Sequence, residues 1–386
     1  MVRTALEMLL GDRLKYVGLV VGLAFAALLI TQQASIFSGF MLRTGAWIRD
    51  TGQADLWIMD RETEFTDDRK PMLDSALLRV RGIDGIDWAV PLFKGYVALR
   101  LPDGRRRNVR MLGIDDATLA GAPPEMVEGE LADLRRDRGL FVDVADAADD
   151  LALRSVVDGE GPRPLRVGDH LDVNDHAMTV VGLSRRSREF FWDPLIVTTY
   201  QRALQVAPHE RRLMAMIIAK VAPGEDPKLV AQRVERSTDL AAYTPDEFES
   251  VSTDFVMRKT GILENFGITI ALGFVIGVLV AGQMLYNFIL ENQRAFAAMK
   301  AMGASNARIT KMVSVQVLFA ATLGFGIGVG LAALSGKVLE RTGLAFHMNW
   351  QIPVYGALGL FACAWIAALF SIQRVLRLDP ATVFKG

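Results

Sequence analysis

Few residues in this sequence have the types and spacing that catalysis or ligand chemistry would need. The stretch at 330–337 has glycines and a lysine, but its spacing is one residue too long for a phosphate-binding loop and no Ser or Thr follows the lysine. Cys363 is the single cysteine, so no intrachain disulfide can form. The four histidines show no metal-ligand spacing: His170, His176, His209 and His347. The residue types therefore predict no enzymatic activity, no metal and no cofactor in this chain.

The elements that would carry any function are membrane spans. The chain has 386 residues, 51% hydrophobic and 23% charged, which predicts several spans and a water-exposed domain. Four uncharged stretches can cross a bilayer, and we place transmembrane helices at 16–38, 267–290, 312–336 and 353–373. A cleaved signal peptide is an alternative interpretation of the first stretch. None of the four holds Asp, Glu, His, Lys or Arg, which disfavours an ion-coupled carrier.

The charges of the short loops predict the orientation. The loop at 291–311 is rich in Lys and Arg, and so is the tail at 374–386, whereas the loop at 337–351 is not. Because cytoplasmic loops carry the cationic excess, both termini, 1–15 and 374–386, should be cytoplasmic. Residues 39–263 then form an extracytoplasmic domain, and the membrane is the inner, cytoplasmic one.

The inserted domain shows strand and helix signals that predict an α+β fold. A Pro-Asp-Gly turn at 102–104 joins two strand-like runs, and a second hairpin spans 170–183. A strand at 214–221 is followed by a helix at 226–237. We expect two lobes, with the Gly- and Pro-rich stretch at 159–164 as the loop between them.

The end of the inserted domain predicts a long helix. Thr244 suits the N-cap, Pro245 the first helical position and Glu247 the third position after the cap. No further proline occurs before Pro353. We expect a stalk helix that runs from about residue 245 through the second span and on towards Met302.

Glycine pairs spaced four residues apart occur in three of the spans. Small residues at this spacing let helix backbones approach closely in lipid. Packing within one subunit and a dimer interface both fit the pattern. The pairs are Gly18 with Gly22, Gly273 with Gly277, and Gly324 with Gly328.

Two clusters in the inserted domain have alternative interpretations. The arginines at 105–107 with Arg110 form either a solvated strand face or a contact for a partner protein or lipid headgroups, and an extracytoplasmic domain would not meet nucleic acid. Phe190, Phe191 and Trp192 form either part of the core or an exposed lip that contacts a partner.

The stretch at 291–305, called the elbow below, lies between the second and third spans. It is predicted to extend the second span's helix by about three turns, with Phe296, Met299 and Met302 on one broad side. Gly303 suits a helix C-terminus and Ser305 the next N-cap. Docking of another protein and a simple turn at the lipid headgroups are both consistent with these residues.

The elbow resembles the cytoplasmic elbow of the FtsX/MacB-type permeases of ABC transporters. The resemblance rests on Glu291, Arg294 and the sequence MKAMGAS at 299–305. The sequence RLDPA at 377–381 is similar to the family's closing segment, and the order of one span, a large outward domain and three spans agrees along the whole chain. QADLW at 53–57 looks most like the DevC-type branch, which lacks a fused ATPase.

The resemblance implies a homodimer that binds a separate cytoplasmic ATPase, which would hold ATP and Mg²⁺. It also implies a membrane-fusion protein as partner of the outward domain and export or extraction of a lipid, peptide or other amphiphile. A signal relay from the ATPase to an extracytoplasmic cell-wall hydrolase is the alternative. The ATPase-docking residues implied are Arg294, Phe296, Met299, Lys300, Met302 and Gly303.

Overall fold

The computed structural model describes residues 13–154, 161–190, 193–208 and 214–376. The chain divides into two compact units, Arg43–Lys259 and a membrane unit made of Met1–Leu42 with Thr260–Gly386. The helices are α1 (Arg13–Thr44), α2 (Ala46–Asp50), α3 (Asp74–Arg81), α4 (Val144–Ala148), α5 (Tyr200–Val206), α6 (Pro227–Thr238), α7 (Pro245–Lys259), α8 (Ile262–Glu291), α9 (Gln293–Ala301), α10 (Asn306–Arg341) and α11 (Gln351–Leu376). The strands are β1 (Leu56–Met59), β2 (Ile86–Arg100), β3 (Arg106–Ile114), β4 (Glu125–Glu128), β5 (Gly139–Asp143), β6 (His170–Val173), β7 (His176–Arg185), β8 (Leu195–Thr199), β9 (Met216–Val221) and β10 (Ala241–Tyr243).

Four helices of the membrane unit, α1, α8, α10 and α11, are long and apolar enough to cross a membrane. Each extends beyond the span that hydropathy predicts; α10, for example, covers Asn306–Arg341 rather than 312–336. Hydropathy marks the length that lipid can cover, whereas backbone hydrogen bonding continues into the flanking polar turns. Their shared core contains Leu23, Leu285, Val317 and Leu360, all nearly or fully buried.

The inserted unit is built around the long strand β2. The first half of β2 pairs with β9, and β9 pairs with β1 and β1 with β10, all antiparallel. This sheet lobe carries α3 and α6, whose buried residues Val80 and Val230 belong to the same core as the strands. The sheet lobe is therefore an antiparallel sheet covered by helices, as an α+β fold requires.

The second half of β2 belongs to a closed ring of six strands. The pairings run β2 to β3, β8, β5, β7 and β6, and β6 pairs with β2 again. Closure leaves these six strands without a free edge and encloses a core that includes Leu99, Met111, Val142 and Val180. We call this part the ring lobe.

The two predicted hairpins are confirmed, because β2 pairs with β3 and β6 with β7. The loop expected to separate two lobes is not where the sequence suggested. Residues 155–160 lie outside the described part of the chain, and Arg163 pairs with Leu153 within the ring lobe. The lobes are instead joined by β2, whose 15 residues are long enough to serve two sheets.

The predicted stalk begins as expected. The backbone N–H of Thr244 donates to the Glu247 carboxylate at 3.0 Å, and the Glu247 N–H donates to the Thr244 hydroxyl at 3.4 Å, which forms a capping box. The helix is not continuous with the second span, however. It ends at Lys259, and Gly261 takes a left-handed conformation with φ of 69° before α8 begins. Glycine adopts a left-handed conformation at little cost, so the stalk helix stops before Gly261 and does not continue into α8.

Candidate functional site

The elbow is a separate short helix rather than an extension of the second span. Helix α8 ends at Glu291, and α9 begins at Gln293 after Asn292 leaves helical geometry with φ of −91° and ψ of 10°. The carbonyl of Phe288 accepts from the backbone N–H of Asn292 at 3.1 Å and from the Asn292 side-chain amide at 2.9 Å. The side chain thus adds a second hydrogen bond at the end of α8.

The end of α9 is closed by backbone geometry that needs glycine. Gly303 has φ of 90°, and its N–H donates to the carbonyl of Lys300 at 3.0 Å. The N–H of Ala304 donates to the carbonyl of Met299 at 2.9 Å, which completes a Schellman motif. Ser305 then caps α10, because its hydroxyl accepts from the N–H of Arg308 at 3.4 Å. Both end signals predicted from the sequence are confirmed.

One face of α9 is packed into the membrane unit. Phe296 is 0% exposed and Ala297 1%, and Phe296 belongs to the core that the spanning helices share. Met299 and Ala304 are half-buried, and both pack against that core. Phe296 was expected to contact an ATPase, but it has no exposed surface here. Its burial contributes about 1.5–3 kcal/mol and fixes the elbow to the bundle.

The other side of the elbow is not covered by the described part of the chain. Met302 is 79% exposed, and Arg294 and Gly303 are exposed as well. Lys300 is half-buried. At the start of the elbow, Glu291 forms an ion pair with Lys15 of α1, so this carboxylate joins two spanning helices. The structure thus divides the six predicted docking residues into an exposed set, a half-buried set and one buried residue.

The six paired glycines face other helices of the same chain. A Cβ on Gly328 would lie 2.4 Å from the carbonyl oxygen of Ala24, and one on Gly22 would lie 2.4 Å from Val280. Each of the remaining four would place a Cβ within 3.4 Å of a side chain or backbone on a neighbouring helix: Gly18, Gly273, Gly277 and Gly324. These positions are used for packing within one subunit. The offset positions Gly326 and Gly330 have open space around them.

The aromatic group proposed as a partner contact is only partly described. Phe190 is half-buried, and Phe191 and Trp192 lie outside the described residues. The structure does place the residue before this group, Glu189, in the interior of the domain at 5% exposure. The sequence analysis did not single out this carboxylate.

Glu189 is the centre of a buried charge cluster, which consists of Asp67, Lys94, Arg110, Arg186 and Glu189. The Lys94 ammonium lies 2.8 Å from both the Asp67 and the Glu189 carboxylates. Arg110 lies 2.7 Å from one Glu189 oxygen, and Arg186 lies 2.9 Å from the other. Burial by itself would raise the pKa of Glu189, but the three cations outweigh burial and hold that pKa well below its ordinary value of 4.5.

The cluster corrects the interpretation of the arginine-rich strand. Arg110 was expected on a solvated face with 105–107, but it is 2% exposed. Strand alternation does not explain the difference, because residues four apart on a strand lie on the same face. The change runs along β3, which is exposed at 106–108 and buried from Val109 onward. Arg106 and Arg107 are exposed as predicted. The sequence signal for the cluster was Lys94 among apolar strand residues, which implies a buried partner.

Two aromatic residues complete the surroundings of the cluster. The Tyr96 hydroxyl donates to the Asp193 carboxylate at 2.9 Å, and burial together with this carboxylate raises the pKa of Tyr96 to about 12. The Lys94 ammonium lies 4.1 Å from the centre of the Trp47 ring, a cation–π contact. Within the described parts of the chain, no group of three His, Cys, Asp or Glu side chains could hold a metal ion.

Four apolar helices with a large α+β domain inserted after the first define a multi-pass membrane protein with one extramembrane insertion. Residues 17–237 match the family described as MacB-like periplasmic core domain, and residues 267–380 match the family described as FtsX-like permease C-terminal. The chain therefore belongs to the FtsX/MacB-like family of ABC transporter permeases, as the elbow sequence indicated.

Curated relatives of this chain are described as ABC transporter permeases. An uncharacterized ABC transporter permease of Mycobacterium tuberculosis is 30% identical over 137 residues, which is 34% of this chain and 37% of the relative. One from Methanocaldococcus jannaschii is 23% identical over 239 residues, 58% of this chain and 59% of the relative. The match thus spans between about a third and three fifths of these curated relatives.

The periplasmic region of MacB from Actinobacillus actinomycetemcomitans has a TM-score of 0.36 at 12% identity, covering 53% of this chain and 94% of that structure. The extracellular domain of YknZ from Gram-positive bacteria has a TM-score of 0.34 at 10% identity, covering 50% and 99%.

Proposed function

We propose that this chain is the non-catalytic membrane subunit of an ABC transporter, and that a homodimer of it is driven by a separate ATPase that binds the elbow. The observation that carries the proposal is the two-sided elbow helix. Phe296 fixes α9 to the spanning helices, while Arg294 and Met302 extend into solvent on the other side. A helix that is packed on one side and exposed on the other can transmit a movement of a bound protein to the spanning helices.

The charge pattern supports a cytoplasmic position for the elbow. Arg294, Lys300, Arg308 and Lys311 lie in or next to it, and cationic loops are retained on the cytoplasmic side. Both termini would then be cytoplasmic and the inserted domain periplasmic, with the protein in the inner membrane. The ATPase would bring the ATP and Mg²⁺.

We further propose that α8 carries the ATPase cycle away from the elbow. It is one uninterrupted helix of 30 residues, about 45 Å long at 1.5 Å per residue. The transported material would be a lipid, peptide or other amphiphile, handed on with a membrane-fusion protein that contacts the inserted domain. The match of residues 17–237 to a MacB-like core domain supports transport over a relay to a cell-wall hydrolase.

Co-purification from cells that make the chain natively tests the docking role. The full chain is purified in a nonionic detergent, and vanadate-sensitive ATPase activity in the eluate is measured. The variant Arg294→Glu/Met302→Asp changes only exposed side chains of the elbow. We expect the ATPase activity that co-purifies with this variant to fall by about tenfold or more, because a few residues of an interface carry most of its binding energy. Met299 and Gly303 are avoided, because burial and positive φ make their substitution disrupt the elbow itself.

The matched control is Leu78→Asp/Arg107→Glu, which makes the same chemical changes at exposed positions of the inserted domain. It should retain the ATPase at the wild-type level. Cys363, the chain's one cysteine, is buried in the bundle, so slow maleimide labelling verifies that each variant is folded. Equal retention by the elbow variant, or no ATPase with wild type after crosslinking, would refute the docking role.

A further inference from the structure

A cavity with both apolar and charged lining residues lies beside the buried charge cluster of the inserted domain. Its volume is about 480 Å³, and it lies between the segment at 67–71, the middle of β2 and the two residues just before β9. A volume of this size is within the range of small-molecule sites, which runs from about 300 to 1,000 Å³. All of its lining residues belong to the inserted unit and are far from the elbow in sequence. The ATPase-docking role proposed for the elbow therefore does not involve this cavity.

Cations outnumber carboxylates in the lining of this cavity. Arg69, Lys70 and Lys94 line it together with the carboxylate of Asp67. Asp67 is already bonded to the Lys94 ammonium at 2.8 Å, so these two charges neutralise each other. Lys70 forms an ion pair with Asp68 at 3.7 Å, which is longer than a hydrogen bond. Among the residues that line the cavity there are three cations and one carboxylate, so the lining itself carries a positive surplus.

The Arg69 guanidinium is held in position rather than extended into bulk solvent. It lies 5.1 Å from the centre of the Tyr96 ring and donates to the carbonyl of Lys94 at 3.3 Å. Tyr96 is itself fixed by its bond to Asp193. A guanidinium has five N–H donors and bidentate binding of an oxyanion uses two of them, so the one bond to the Lys94 carbonyl leaves donors available for a ligand.

We propose that this cavity binds an oxyanion, a phosphate or carboxylate group, through Arg69 and Lys70. Two members of the charge cluster, Asp67 and Lys94, contribute to its lining. Two sources supply this chemistry, free inorganic phosphate and the headgroup of an anionic phospholipid. Binding here requires neither an ATPase nor a bound partner, so the elbow and the cavity are tested independently.

The test is calorimetric titration of the full chain in a nonionic detergent. The probes are inorganic phosphate, water-soluble dihexanoyl phosphatidylglycerol, and dihexanoyl phosphatidylcholine as the zwitterionic lipid of equal chain length. We expect saturable binding of at least one anionic probe. The variant Arg69→Gln/Lys70→Gln should weaken it by about tenfold or more, because charge-assisted hydrogen bonds to the oxyanion are lost. Lys70→Gln alone, which removes one of the two cations, should give a smaller loss.

The matched control is Arg106→Gln/Arg107→Gln, which removes two exposed cations from the same domain and should bind as wild type does. Binding of phosphate as well as the lipid would identify the oxyanion alone as sufficient, and binding of the lipid alone would identify the headgroup as the ligand. Four results would overturn the proposal: no saturable binding of either anion, equal binding of phosphatidylcholine, unchanged binding by Arg69→Gln/Lys70→Gln, or an equal loss in the control.

Discussion

At the scale of single residues, Glu189 shows how a buried charge is stabilised in this protein. It accepts from three cations, Lys94, Arg110 and Arg186. If Glu189 were neutral, the one carboxylate left in the cluster would be Asp67, which lies 2.8 Å from Lys94 and 3.9 Å from Arg110. Breaking a buried ion pair by removing one partner typically costs about 3–5 kcal/mol. The cluster thus links β2, β3 and the segment before β8 through one side chain.

We predict that Glu189→Gln lowers the stability of the inserted domain at neutral pH and reduces its acid sensitivity. The pKa of Glu189 is lowered in the folded state, so its stabilising contribution is complete above the ordinary value of 4.5. That contribution is lost as the pH falls below this value. Thermal unfolding followed by near-ultraviolet circular dichroism from neutral pH down to about pH 2, well below 4.5, measures both effects.

Glu125→Gln is the control for this prediction. Glu125 pairs with Arg185 at 2.9 Å on the exposed surface, where an ion pair contributes about 0–1 kcal/mol. Loss of this surface ion pair should leave the thermal unfolding midpoint, and its dependence on pH, close to those of the wild type. If Glu189→Gln and Glu125→Gln behave alike, the buried cluster does not stabilise the domain.

At the scale of elements, the elbow depends on the backbone at its two ends. Asn292 separates it from α8, and Gly303 separates it from α10. A Cβ on Gly303 would meet nothing within 4 Å, so only the positive φ of 90° requires glycine there. Replacing Gly303 should therefore destabilise the protein through the backbone conformation alone. Its effect on stability can be measured without a contribution from steric clashes.

We predict that Gly303→Ala destabilises the membrane unit by about 1–2 kcal/mol, the cost of a left-handed conformation for a residue with a Cβ. Gly326→Ala is the control, because Gly326 also has open space but lies inside helix α10. Alanine there should be neutral or stabilising by about 0.5–1 kcal/mol. The rate of maleimide labelling at Cys363 on heating reports both changes. Equal rates in the two variants would contradict the backbone explanation.

At the scale of the whole molecule, two sets of glycines on α10 have different surroundings. Gly324 and Gly328 lie against the backbone of α1, whereas Gly326 and Gly330 have nothing within 4 Å. One helix therefore presents a small-residue face for packing within the subunit and a second face that its own chain does not cover.

We predict that Gly328→Val opens the bundle and that Gly330→Val does not. The added Cβ on residue 328 would lie 2.4 Å from a backbone oxygen, which cannot yield as a flexible side chain can. Labelling of Cys363 should be faster in Gly328→Val at all temperatures. If Gly328→Val leaves labelling slow but separates a dimer on size-exclusion chromatography, the glycines serve contact between subunits.

The sequence by itself determined the features that depend on neighbours along the chain. Runs of apolar residues marked four spanning helices, alternation and turns marked the two hairpins, and capping residues such as Thr244, Gly303 and Ser305 marked helix ends. The family resemblance was also evident from the short sequence MKAMGAS in the elbow. These signals are local because hydrogen bonding in helices and turns joins residues three to five positions apart.

Only the tertiary structure decided which residues from distant parts of the chain meet. The closed ring requires β6 to pair with both β2 and β7, and the Lys94–Glu189 bond joins residues 95 positions apart. The same holds for the burial of Phe296, which depends on how α9 packs against the spanning helices. Hydropathy describes each residue's preference for water or lipid, but the partner that makes a buried lysine or arginine tolerable is supplied by packing alone.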